Sequence, residues 1–174
     1  MFPELLSEPT ARAGFAGLVT LGLAVLTHPA PAAEKLYEWE DEDLAVDSAE
    51  AIARHCLDGN YDARTRLSCA SAPLEICSAQ YDDGHANQTD LNFCSGFSAR
   101  AWERIVDDIF ARLLAYEYAP KGIQQSQSMW KAWSDFDCRT RSDYRGSMAA
   151  LEYNSCRVQH TADRVIELMS LLRL

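Results

Sequence analysis

Six cysteines constrain this chain more than any other feature of its sequence, and all of them lie beyond residue 50. None belongs to a C-x-x-C pair, the spacing that lowers a thiol pKa in redox enzymes. An even number of cysteines in an exported protein is most simply a disulfide framework. We therefore expect covalent crosslinks between Cys56, Cys69, Cys77, Cys94, Cys138 and Cys156.

The first 33 residues have the pattern of a signal peptide. Arg12 precedes an apolar stretch from Ala13 to Leu26, and small residues follow from Ala30 to Ala33. A basic residue, an apolar stretch and a small-residue cleavage site are typical of secreted chains. The apolar stretch is shorter than the roughly 20 residues that cross a bilayer. We therefore expect cleavage of a signal peptide, residues 1–33, and a periplasmic or secreted protein without stable membrane insertion.

The chain is acidic, with a formal net charge of −10 at pH 7. Residues 34–47 concentrate this charge and are predicted to form a solvated, partly disordered acidic arm. Ser48 is then placed to cap a short helix in an N-terminal helical extension, residues 48–76. An acidic surface repels nucleic acid and attracts cationic partners. The charge therefore excludes a nucleic-acid-binding function and favours a cationic protein partner.

Three further helices are predicted from apolar residues that recur at three- and four-residue intervals. The first runs from residue 88 or 89 to about residue 116, and the second covers residues 123–138. A polar loop is predicted at residues 139–147, and the last helix includes residues 158–172. No stretch alternates with period two. We therefore predict an all-α fold: a disulfide-stapled helical hairpin plus a C-terminal helix, with the small N-terminal extension.

Four short motifs occur in order along the second half of the chain. They are Gln88-Thr89-x-Leu91-Asn92-x-Cys94, Gln127-x-x-Trp130-x-x-Trp133-x-Asp135-x-x-Cys138, Gly146-Ser147 ahead of Cys156, and Thr161-x-x-Arg164-x-x-Glu167-Leu168. Together they resemble the LprI-like lysozyme inhibitor family over about residues 77–172, and we assign residues 77–174 to an LprI-like helical domain. Ser134 stands where this family usually has arginine. The resemblance implies an exported, protein-binding domain.

The resemblance also marks a structural family motif made of Gln127, Trp130, Trp133, Asp135, Thr161 and Arg164. We expect Trp130 to anchor the core, with its indole N–H bonded to the Gln127 oxygen. We expect Asp135 and Arg164 to form an ion pair between the second and the last of the longer helices.

Many disulfide connectivities are open to six cysteines. We expect pairing between sequence neighbours, as Cys56–Cys69, Cys77–Cys94 and Cys138–Cys156.

The sequence carries no motif of the common enzyme classes. It has no G-x-S-x-G, no H-E-x-x-H, no phosphate-binding loop and no haem C-x-x-C-H. His55, His85 and His160 are scattered, and none has a second ligand at helical spacing. We therefore expect no catalytic residue, no cofactor and no metal.

The predicted polar loop is a candidate binding loop, because a disulfide would hold it and arginines are frequent in it. Its candidate contact residues are Arg139, Arg141, Tyr144 and Arg145. The guanidinium groups of the three arginines could face the carboxylates of a glycosidase cleft. The first hypothesis is therefore an inhibitor that binds lysozyme or another cationic envelope-active enzyme. The alternative is a non-enzymatic periplasmic structural or adaptor module of the cell envelope.

Overall fold

The computed structural model describes residues 41–59, 68–81, 85–143 and 146–172. The predicted signal peptide lies outside these residues. None of the described residues forms a strand, so the predicted all-α fold is confirmed. A 3-10 turn, Gly146–Met148, leads into the last helix. The helices of the described part are α1 (Glu42–Gly59), α2 (Ala72–Ser78), α3 (Gln88–Leu114), α4 (Ile123–Ser142) and α5 (Ala149–Leu171).

Helix α1 begins at Glu42, earlier than the predicted start at Ser48. The Asp41 side chain accepts a hydrogen bond from the backbone N–H of Asp43 at 2.9 Å, which satisfies one of the free donors at the helix start. Ala45 and Val46 are buried within the same turn or the next. The prediction of a solvated arm is therefore wrong for residues 42–47. Their acidic side chains are exposed, but the apolar residues between them pack into the protein.

Helix α3 begins where its sequence predicted, at a capping box. The Asn87 side chain accepts from the backbone N–H groups of Thr89 at 2.8 Å and Asp90 at 3.2 Å. The Asp90 carboxylate in turn accepts from the Asn87 backbone N–H at 2.9 Å. This reciprocal arrangement satisfies backbone donors that the helix itself cannot use. Gly122, with φ of 84°, precedes α4 in a conformation that favours glycine.

Helix α4 continues to Ser142, so the polar loop predicted from Arg139 is wrong for residues 139–142. Two ion pairs at i,i+4 spacing support this last turn: Arg139 Nε lies 2.9 Å from Asp135, and Arg141 Nε lies 2.8 Å from Asp137. Such pairs stabilise a helix, which explains why polar residues that suggested a loop remain helical. Gly146, with φ of 58°, then starts the turn toward α5.

Helix α5 packs against both α3 and α4, and α1 and α2 also pack against α3. Trp102 is fully buried near the middle of α3. Within the described ranges, no helix carries an apolar segment of membrane-spanning length. The larger core cluster includes Trp102, Ile105, Val106, Leu113, Val165 and Leu168.

Three disulfides join consecutive elements, and each pairs cysteines that are neighbours in sequence. Cys56–Cys69 links α1 to the turn before α2, Cys77–Cys94 links α2 to α3, and Cys138–Cys156 links α4 to α5. Their sequence separations are 13, 17 and 18 residues. Closing loops of this length stabilises a fold by roughly 3 kcal/mol each in the chain-entropy account. Each crosslink thus keeps two elements that follow each other in the chain in contact.

Candidate functional site

Helix α4 has a buried face and an exposed face, because it packs mainly on α5. The exposed face carries Met129, Trp133 and Phe136, whose exposed fractions are 65%, 54% and 71%. Single exposed apolar residues are common, but three large ones on one helix face form a surface that is typical of protein recognition. We term Met129, Trp133 and Phe136 the α4 patch. The opposite face is buried and consists of Ile123, Gln127, Ser134, Cys138 and Ser142.

His160 of α5 holds Trp133 in its orientation. The two rings stack with centroids 4.5 Å apart and an interplanar angle of 11°. His160 Nδ1 lies 3.1 Å from Ser134 Oγ, and its Nε2 lies 3.3 Å from Asp137 Oδ2. Burial lowers the pKa of His160, although the Asp137 carboxylate acts in the opposite direction. Burial thus favours the neutral imidazole, and the contacts of the ring fix the indole at one edge of the α4 patch.

A charged rim borders the α4 patch at Asp135 and Arg139. Arg139 Nε donates to both carboxylate oxygens of Asp135, at 3.0 and 2.9 Å, and the Tyr153 hydroxyl donates to Oδ1 at 2.7 Å. The Tyr153 hydroxyl, and then Arg139, hold the pKa of Asp135 below its usual value. Burial, and then the Asp135 carboxylate, raise the pKa of Tyr153. Asp135 is therefore ionised, and it connects α4 to α5 through Tyr153.

The predicted ion pair between Asp135 and Arg164 is wrong. Asp135 bonds to Arg139 and Tyr153, as described above. Arg164, with 4% of its surface exposed, donates from Nε to Gln127 Oε1 at 2.9 Å. Its other nitrogens reach Ser126 Oγ at 3.1 Å and Glu167 at 2.7 Å. Arg164 is therefore a structural residue that joins α5 to the first turns of α4.

The other residues of the predicted family motif also lie between α4 and α5. Trp130 is half-buried and packs against the larger core cluster, as expected. The Arg164 guanidinium lies 6.0 Å from the centre of the Trp130 ring. Gln127 Oε1 accepts from Arg164, and among the described residues no hydrogen bond joins the Trp130 indole to this oxygen, so that expectation is wrong. Thr161 is buried.

The candidate loop residues divide into two groups. Arg139 and Arg141 lie on the last turn of α4, where 71% and 62% of their side-chain surface is exposed. Both are therefore accessible to a partner, although each is bonded to an aspartate one turn earlier. Tyr144 and Arg145 lie outside the described residues.

A groove of about 280 Å³ lies between α3, α4 and α5, and most of its charged side chains pair with one another. Lys131 Nζ lies 2.7 Å from Asp107 Oδ1, and Arg157 pairs with Glu103. Burial lowers the pKa of Arg157. Most of the charge in this groove is therefore neutralised by ion pairs within it.

Phe136 and Met129 are the residues of the α4 patch that sequence reasoning missed. Phe136 and Met129 are seven residues apart, and Trp133 lies between them at intervals of four and three. This spacing places all three on one helix face. The same helix already has Gln127, Ser134 and Cys138 on its buried face, so the second, outer apolar face was a signal available in the sequence.

Comparison with protein families adds one match. The family model described as "Lysozyme inhibitor LprI" matches residues 77–168, which include the α4 patch, most of α5 and two of the disulfides. Helix α1 lies outside the match. No curated protein and no solved structure matched the chain. Because the matched residues make up more than half of the sequence, the chain belongs to the LprI family of lysozyme inhibitors.

Proposed function

We propose that this protein binds lysozyme and inhibits it, and that the α4 patch is its contact surface. The observation that carries the proposal is the exposure of Met129, Trp133 and Phe136 on a rigid helix inside the family-matched residues. Apolar and aromatic anchors of this kind provide most of the binding energy in protein interfaces. The disulfide between Cys138 and Cys156 holds the helix that presents them. The patch is therefore formed before a partner arrives.

The acidic charge of the chain supports a cationic partner. A net charge of −10 accelerates encounter with a positively charged enzyme and makes association sensitive to salt. Arg139 and Arg141, at the end of α4, lie beside the patch in sequence and are exposed. A glycosidase cleft contains a pair of carboxyl groups. Exchanging the pair between Arg139 and Asp135 for a pair with such a carboxylate costs little, because exposed i,i+4 ion pairs contribute little to stability.

The compartment is part of the proposal. Three disulfides are typical of proteins that work outside the reducing cytoplasm. We infer export to the periplasm or secretion, where the protein meets enzymes that attack the cell wall. Cleavage of residues 1–33 is tested by N-terminal sequencing of the protein recovered from the envelope fraction.

A lytic assay with matched variants tests the function. Purified, oxidised protein is added to lysozyme acting on bacterial cell walls, and the rate of clearing is measured. We expect the wild-type protein to slow lysis. The double variant Met129→Ala, Phe136→Ala should reach the same inhibition only at a concentration at least about tenfold higher. Phe93→Ala is the control, because Phe93 is exposed at 56% but lies on α3. Circular dichroism is used to check that all three proteins are folded.

The second candidate function is a structural or adaptor module of the cell envelope. It is favoured by α1, which lies outside the family match and is tied down by its own disulfide, Cys56–Cys69. If wild-type protein at high concentration leaves lysozyme at its full rate, the inhibitor proposal fails and the adaptor function is preferred. If wild-type and double-variant proteins inhibit equally, inhibition stands but the α4 patch is not the contact.

A further inference from the structure

The third disulfide is surrounded by groups that bind transition metals. One oxygen of Asp137, one ring nitrogen of His160 and the sulfur atoms of Cys138 and Cys156 all lie within 4.8 Å of one another. Cys138 is fully buried, and the other three side chains are half-buried. Among the described residues, no other cluster of three or more such groups meets this distance. While the sulfurs are bonded to each other, neither is available as a thiolate ligand.

The spacing of the groups in this cluster is close to that of a tetrahedral zinc site. Zinc bonds to sulfur at about 2.3 Å and to nitrogen or oxygen at about 2.0–2.2 Å, so neighbouring ligands of a tetrahedron are roughly 3.3–3.8 Å apart. His160 Nε2 lies 3.3 Å from Asp137 Oδ2, and Cys156 Sγ lies 4.0 Å from the same oxygen. Cys138 Sγ lies 3.8 Å from Nδ1, the ring nitrogen of His160 that would not bind the ion. Once reduction lets the two sulfurs separate, side-chain rotations would bring the four ligand atoms around one ion.

The surroundings of His160 also suit a metal ligand. Its Nδ1 lies 3.1 Å from Ser134 Oγ, which can hold a proton on that nitrogen and leave Nε2 free beside Asp137. Ligand histidines in metal sites usually make such an outer hydrogen bond, which fixes the orientation of the ring. Stacking on Trp133 restricts the ring further. Two thiolates, an imidazole and a carboxylate are a ligand set that zinc binds readily.

We propose that reduction of the Cys138–Cys156 disulfide converts this cluster into a zinc site formed by Asp137, Cys138, Cys156 and His160. In the reduction, a dithiol transfers two electrons and two protons to the disulfide and becomes a disulfide itself. Zn²⁺ then displaces the protons of the two thiols, and they are released to solvent. The ion takes the place of the lost crosslink between α4 and α5. The proposal does not depend on lysozyme binding.

The test uses the full-length chain, reduced with a phosphine and then titrated with Co²⁺ and Zn²⁺. Co²⁺ reports tetrahedral thiolate coordination through its visible absorption, and competition with Zn²⁺ gives the zinc affinity. We expect one ion to bind per reduced chain and none to bind at this cluster in the oxidised chain. We expect Ser134→Ala to lower the zinc affinity by about 10–100-fold. His160→Ala and Asp137→Asn, which remove ligands, should lower it further. His55→Ala is the control, because His55 is adjacent to Cys56 but exposed.

A second measurement identifies which cysteine sulfurs bind the ion. It can be made even if reduction loosens the fold. The reduced chain is alkylated with and without Zn²⁺, and the modified cysteines are located by peptide mass mapping. We expect Zn²⁺ to protect Cys138 and Cys156 while the other four cysteines react. Equal alkylation of all six, or protection of other cysteines, overturns the proposal. So does an affinity in His160→Ala equal to that in His55→Ala.

Discussion

The interface between α1 and α3 and the interface between α4 and α5 are built in different ways. Small buried residues, Ala45, Ala49 and Ala53, let α1 approach closely, and ion pairs lie on the exposed flanks. Among these pairs, Arg104 lies 2.6 Å from Asp47 and Arg54 lies 3.2 Å from Asp108. Between α4 and α5, by contrast, several polar contacts are partly or fully buried.

We call the interface of α1 with α3 the supporting region. We call the interface of α4 with α5 the presenting region, because it holds the helix that carries the α4 patch. Exposed ion pairs contribute about 0–1 kcal/mol each, so apolar contact holds α1 in place. Buried polar contacts such as Arg164–Gln127 and His160–Ser134 are directional, and they fix how α4 is rotated on α5. This rotation turns the α4 patch toward solvent. The family match includes α3, α4 and most of α5 but not α1.

The largest expected effect comes from Arg164→Ala. The substitution removes a buried guanidinium and leaves Gln127 Oε1 without its donor, so we expect a loss of about 3 kcal/mol in the free energy of unfolding. Urea denaturation of the oxidised protein measures it. Arg139→Ala is the control, since this arginine also bonds to a carboxylate but is exposed. A loss in Arg164→Ala no greater than in Arg139→Ala would show that the α4–α5 contacts do not carry stability.

Overpacking should break the other interface. Ala49 is fully buried on α1, so Ala49→Leu forces α1 away from its neighbours and should cost about 2 kcal/mol. Ala51→Leu adds the same side chain at an exposed position of the same helix, and should change stability by less than about 0.5 kcal/mol. Thermal unfolding distinguishes the two. Equal melting temperatures for the two variants would mean that the small residues of α1 are not what allows close packing.

Tyr153→Phe tests one polar contact of the presenting region. The substitution removes the hydroxyl that donates to Asp135 at 2.7 Å and keeps the ring, so we expect a loss of about 1 kcal/mol. Urea denaturation measures this loss, and Tyr118→Phe, at a position 73% exposed, provides the reference. If both substitutions have the same effect, the bond between Tyr153 and Asp135 does not stabilise the contact of α4 with α5.

The smallest expected effect is that of Arg104→Gln. Arg104 lies within 4 Å of Asp43, Asp47 and Glu50, but its side chain is 43% exposed. We expect a loss of about 0.5 kcal/mol or less, because water and salt screen such pairs. Denaturation at low and high ionic strength measures it. A loss above that of Tyr153→Phe would mean that the flanking charges, and not the alanines, hold α1 on α3.

Helix positions in this molecule follow largely from the sequence. The apolar spacing of α3 and the cap at Asn87 are local signals, and the helix begins where they indicate. The last turn of α4 depends on pairs between Arg139 and Asp135 and between Arg141 and Asp137, which compete with the loop tendency of polar residues. The start of α1 was not predicted, because the acidic residues around Ala45 and Val46 suggested a solvated segment.

The contacts of the site, and two residues of the α4 patch, were not predicted from the sequence. Arg164 and Asp135 carry opposite charges and lie on adjacent helices, but their pairing depends on helix rotation, which one sequence does not specify. Arg164 instead reaches Gln127 and Glu167, while Asp135 faces Tyr153. Phe136 and Met129 are large apolar residues of the kind that usually lie in a protein core. Only the packing of α4 on a single main neighbour leaves them exposed.

Hydroxyl-radical footprinting of the oxidised protein with and without lysozyme tests the central claim most directly. The method measures the solvent exposure of individual side chains, and methionine and aromatic residues react readily. We predict that lysozyme lowers the oxidation of Met129, Trp133 and Phe136 and leaves that of Phe93 and Tyr118 unchanged. Unchanged oxidation of the α4 patch at lysozyme concentrations that are fully inhibited, or protection at Phe93 instead, would contradict the account.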